Sequence, residues 1–105
     1  MDLVTPDHRE TVEAMDGVFL TQLAVGDAMS IQHLRMAPGA RVPTHDHHHE
    51  QVGFVYQGTQ TFILGDGETV DVDAGGSYFL DGGETHAAEN RGDAEMAAID
   101  VFSPP

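Results

Sequence analysis

Residues 42–58, VPTHDHHHEQVGFVYQG, place four of the chain's seven histidines, His45, His47, His48 and His49, within five positions. The run is internal, so it is not an expression tag. Along an extended segment alternate side chains share a face, which groups His45, His47, His49 and Gln51 and turns His48 away. Two neutral imidazoles two residues apart can bind one metal ion from one side, and imidazole suits Zn, Cu, Fe and Ni. Gln51 adds a carbonyl oxygen to that donor set.

Working outward, the rest of the chain has the pattern of an all-β sandwich or barrel. Short strand-like runs recur at about ten-residue spacing between glycine- and proline-rich turns. They are VFLTQL (18–23), MSIQHLRM (29–36), QVGFVYQ (51–57), QTFIL (60–64), ETVDVD (68–73), SYFL (77–80), THAAEN (85–90) and EMAAIDVF (95–102). LGDGE (64–68) predicts a hairpin, because Asp-Gly supplies the positive φ angles a tight turn needs. Only DHRETVEAM (7–15) has helical spacing, and a short helix is expected there. With no repeat, linker or low-complexity segment, residues 1–105 are expected to form one domain.

Composition narrows the partners. Hydrophobic residues at 40% and charged residues at 21% describe a folded globular chain. Eighteen acidic residues against four basic ones, all arginine, give a net charge of −14. Such a surface repels phosphate, which argues against nucleic acid and anionic membranes as partners. Scattered acids without lysine imply adaptation to high salt, where screening relieves self-repulsion. There is no cysteine, so thiolate ligands and disulfides are excluded. The first residues, MDLVTPDHRE, have no signal-peptide pattern, and no apolar run reaches membrane-spanning length, so a cytoplasmic location is expected.

A second segment, GGSYFLDGGETHAAENRG (75–92), carries His86 after a Gly-Gly turn, at the start of a strand-like run. Three histidines and one amide oxygen would leave positions open for water or substrate, as catalytic metal sites do. Gly39, His45, His47, Gln51 and Gly58 fall at the spacing of the first cupin motif, with Gln51 in place of the usual Glu. Gly75, Asp81, Gly83, His86 and Asn90 fall at the spacing of the second, with Asp81 in place of Pro. The chain therefore resembles the cupin superfamily, and within it the small single-domain group that includes KdgF-type proteins of pectin and alginate breakdown.

The resemblance implies a jelly-roll β-barrel holding one divalent transition metal per chain (Zn, Ni, Mn, Fe or Cu) through His45, His47, Gln51 and His86. It implies a pocket that includes Asp100 and Phe102, a small-molecule substrate such as an unsaturated uronate or other sugar acid, and a homodimer. The family usually carries an Arg just beyond a Pro-Pro pair, and Arg9, Arg35, Arg41 and Arg91 do not occupy that place. A neutral Gln ligand leaves the ion its full charge, which favours proton-transfer, isomerase, ring-opening or lyase-like chemistry over dioxygenase chemistry. Asp100 is the expected proton shuttle, with Tyr56 or Tyr78 donating a hydrogen bond in the pocket. A metal-bearing ligand-binding or sensor module without turnover is one alternative, and a dioxygenase-type cupin with redox-active iron or copper is another.

Overall fold

A computed structural model of the chain describes residues 1–105 and contains no α-helix. After one 3-10 turn at Pro6–His8 come ten strands: β1 (Thr11–Met15), β2 (Val18–Val25), β3 (Ser30–Met36), β4 (Arg41–His45), β5 (Glu50–Gln57), β6 (Thr59–Leu64), β7 (Thr69–Asp73), β8 (Ser77–Leu80), β9 (His86–Glu89) and β10 (Met96–Ser103). They form a six-stranded sheet, β1-β2-β3-β10-β5-β8, and a four-stranded sheet, β4-β9-β6-β7. Every pairing is antiparallel, and the two sheets make a jelly-roll barrel. No helix is long and apolar enough to cross a membrane.

The core lies between the inner faces. Val18, Leu34, Met36, Val55, Phe62, Leu80 and Met96 are all buried there, with Met36 opposite Met96 in the register. Burying a large apolar side chain stabilises by roughly 1.5–3 kcal/mol, so strict alternation decides which face turns inward. In β5 it holds from Glu50 to Tyr56: Gln51, Gly53 and Val55 are buried, whereas Val52, Phe54 and Tyr56 are exposed.

The helix expected over 7–15 is corrected to a short 3-10 turn followed by β1. Thr11 and Val12 are β-branched and fit a pleated edge, Thr11 faces Thr21 across the pair, and their hydroxyl oxygens lie 2.7 Å apart. The expected hairpin at 64–68 is present, with Gly67 at φ 88° and Glu68 donating its backbone N–H to Asp66 Oδ1 at 2.9 Å.

Two loops bring the motif segments together. Gly83, at φ 82°, donates its N–H to the His47 carbonyl at 2.7 Å, tying the 81–85 turn to the histidine loop. Asn90 closes the far end: its amide nitrogen donates to the Met36 and Ala94 carbonyls at 3.0 and 2.9 Å. Asp81 stands where the motif has Pro, and its N–H donates to Glu84 Oε1 at 3.0 Å, a bond proline could not make.

Candidate metal centre

His45 ends β4 and His86 begins β9, and the register sets them directly opposite each other. The segment between β4 and β5 is not a continuous strand as expected, because residues 46–49 form a loop. His47 still reaches the same point, held by the Gly83 bond to its carbonyl. The nearest ring nitrogens of His45, His47 and His86 lie within 4.8 Å of one another.

Their orientation is set by the backbone. The Nδ1–H of His45 donates to the Pro43 carbonyl at 2.8 Å, that of His47 to the His49 carbonyl at 3.0 Å, and that of His86 to the Glu84 carbonyl at 2.8 Å. A carbonyl only accepts, so each neutral ring carries its proton on Nδ1 and keeps a lone pair on Nε2. Burial lowers the His86 pKa, the Glu84 carbonyl bond and the Glu84 charge oppose it, and His45 and His47 lower it further, a net shift that favours the neutral ring. Gln51 Oε1 lies 3.0 Å from His47 Nε2. Two lone pairs facing each other at that distance are matched by a cation between them, so this donor set fits a divalent transition metal.

Behind Gln51 lies a buried carboxylate. Asp100 is 3% exposed, and its Oδ1 accepts from Gln51 Nε2 at 3.0 Å and from the Tyr78 hydroxyl in a short bond. Burial pushes the Asp100 pKa up, while the Tyr78 and Gln51 hydrogen bonds and nearby His47 hold it back. Burial and the Asp100 charge drive the Tyr78 hydroxyl pKa upward as well, so Tyr78 remains a donor. The network also accounts for glutamine at 51. Glutamate there would set two carboxylates about 3 Å apart.

A cavity of about 240 Å³ joins the two groups, and His45, His47, His49, Gln51, His86, Asp100 and Phe102 are among its lining residues. Of the expected pocket residues, Phe102 is there, its ring 5.9 Å from that of His47. Tyr78 stands behind Asp100, packed on Phe62 at 4.7 Å. Tyr56 is corrected: it lies on the outer face of β5, 47% exposed, where its hydroxyl meets His33. His49 lies outside the three-nitrogen group, half-buried against Phe102 at 5.0 Å. Burial, then the charges of His47 and His48, lower its pKa.

Gly53 was not singled out from the sequence. It lies between Tyr78 and Asp100 in the register, and a Cβ there would overlap the Tyr78 ring and Asp100 Oδ1. The available signal was a glycine inside a strand, QVGFV, which marks a close approach. Gln60, also unremarked, lines the cavity at 2% exposure with its Oε1 buried and unpartnered.

Comparison with known proteins agrees with this architecture. The model of the Cupin domain family matches residues 32–102. A Bacillus subtilis protein named H2HPP isomerase is 34% identical over 67 residues, 64% of this chain but only 28% of its own length. The chain thus spans little more than a quarter of that relative. The structure of KdgF from Halomonas sp. superposes with a TM-score of 0.88 at 22% identity, covering 100% of this chain and 94% of that one. An RmlC-like cupin from Shewanella frigidimarina gives 0.87 at 24% identity, covering 100% and 92%.

Proposed function

The chain belongs to the cupin domain family, and we propose that it is a metal-dependent enzyme that moves a proton on a small oxygenated substrate. His45, His47, His86 and Gln51 would hold one divalent transition metal. When bound, the ion supplies Lewis-acid stabilisation of negative charge developing on a substrate oxygen. The observation that carries the reading is the convergence of three backbone-oriented Nε2 lone pairs and an amide oxygen beside a buried carboxylate lining the same cavity.

Asp100 would take a proton from the substrate and return it to a neighbouring atom. Its Oδ1 is occupied by two donors, which leaves Oδ2 for that exchange. Burial raises its pKa towards the range where a carboxyl can both accept and release a proton. Gln51 keeps Asp100 in place through its amide nitrogen while presenting its oxygen to the histidines. The isomerase name of the Bacillus subtilis relative fits this reaction class. Unsaturated uronates and other sugar acids are the substrates the KdgF likeness brings forward for screening.

Elemental analysis of purified protein tests the site: about one transition metal per chain, lost in His86→Ala, is expected. Asp100→Asn should keep the metal and lose turnover. A protein that takes up no zinc, nickel, manganese, iron or copper ends the metal reading. Full turnover in Asp100→Asn ends the proton-shuttle role, whereas metal-loaded parent protein that binds small oxygenated ligands without converting them would make a ligand-binding module the better reading.

A further inference from the structure

Resting on the metal-centre reading, we infer that the site takes a substrate with three parts: an oxygen-chelating head, a hydrocarbon body and one hydrogen-bond donor on that body. Beside the histidines, the lining includes Leu20, Leu34, Val42 and Phe62, with Gln32 and Gln60 among them. None of the four arginines lines the cavity, and the chain has no lysine. A substrate carboxylate held away from the histidines would have no cationic partner. A polyhydroxylated sugar acid is worse placed still, since each hydroxyl pressed against leucine, valine or phenylalanine gives up its hydrogen bonds to water without replacement.

Gln60 sets the exception. Its side chain is 2% exposed, and its Oε1 is one of two buried side-chain atoms in the molecule that lack a hydrogen-bond partner. Native proteins leave few such groups. A hydroxyl or N–H carried on an otherwise apolar ring or chain would satisfy it. The cavity, at about 240 Å³, lies below the usual range for drug-sized ligands, so a single ring fits the scale.

Calorimetric titration of zinc-loaded protein with pyruvate, phenylpyruvate, 4-hydroxyphenylpyruvate and galacturonate tests the inference, because the three oxo acids share one head and differ only in body and donor. Phenylpyruvate should bind about tenfold or more tightly than pyruvate and galacturonate, with methyl NMR shifts at Leu20, Leu34 and Val42. The ring hydroxyl should add a further few-fold, and Gln60→Leu should abolish that increment while keeping its zinc content and its phenylpyruvate affinity. Galacturonate binding as tightly as phenylpyruvate, or a ring that adds nothing over pyruvate, overturns the hydrocarbon body. A hydroxyl increment that is absent, or that survives in Gln60→Leu, overturns the role of Gln60. Failure to load zinc or another of these metals removes the metal reading and its chelating head. Shifts of the same methyls by phenylpyruvate in metal-free protein then still decide the hydrocarbon body.

Discussion

Two tyrosines on opposite faces of one sheet make the same kind of bond in different surroundings. Tyr78 on β8 donates to Asp100 on β10, inside the barrel and across Gly53 of β5. Tyr56 on β5 pairs with His33 on β3, on the outer face, with Tyr56 47% exposed. Water can replace either partner of the outer pair. The inner bond is part-buried and its carboxylate only 3% exposed, so there each donor offsets more of the desolvation penalty of a buried charge. The comparison shows that solvent access, more than the bond itself, decides which tyrosine matters.

The inner pair breaks most severely at Gly53. Gly53→Ala drives a methyl into the Tyr78 ring and Asp100 Oδ1, so both side chains must shift. Overpacking and loss of the carboxylate's donor together should cost about 2–5 kcal/mol, a large share of a typical domain's stability, read by denaturant unfolding. Metal content should persist in whatever folds, because the histidines are held by backbone carbonyls on other elements. A Gly53→Ala variant as stable as the parent would mean that the inner network tolerates the added methyl and that the close approach at Gly53 is not what fixes it.

Removing single hydroxyls sharpens the contrast. Tyr78→Phe leaves Asp100 with only the Gln51 amide as donor and should destabilise by about 1–3 kcal/mol. Tyr56→Phe should stay within about 0.5 kcal/mol of the parent, as surface substitutions usually do. Paired thermal melts decide it, and equal losses for the two variants would contradict the role given to solvent.

Which tyrosine faces inward was partly legible. Gln51 and Tyr56 are five residues apart on one strand, an odd number, so placing Gln51 inward already sends Tyr56 outward. Tyr78 is different: its face follows from pairing with Gly53 across β5, and pairing partners are not written in local sequence. The histidine and glycine spacing was legible because a metal and a tight turn impose fixed geometry on nearby residues. The loop at 46–49 was not, since its shape depends on the Gly83 bond from a segment far along the chain. At residues 7–15, Val12 and Met15 fit helical spacing, but pairing with β2 outweighs that weak local preference.

The outer pair has one consequence of its own, and it is the smallest effect expected. Burial, followed by the charge of Arg35, lowers the His33 pKa below its usual 6.5, against a smaller opposing pull from Glu95. The folded state therefore prefers the neutral ring, and below pH 6.5 the unfolded chain binds the proton more readily. The stability His33 contributes is complete above pH 6.5 and is lost as pH falls from there through the folded pKa. His86 and His49 are shifted the same way, so metal-free protein should melt lower at about pH 5 than at about pH 7 for all three. His33→Gln keeps an amide within reach of Tyr56 and should flatten that slope slightly, by a few degrees at most. An unchanged slope in the variant would assign the acid sensitivity to the histidines of the metal centre, and metal loading, which holds His86 neutral, should then remove it.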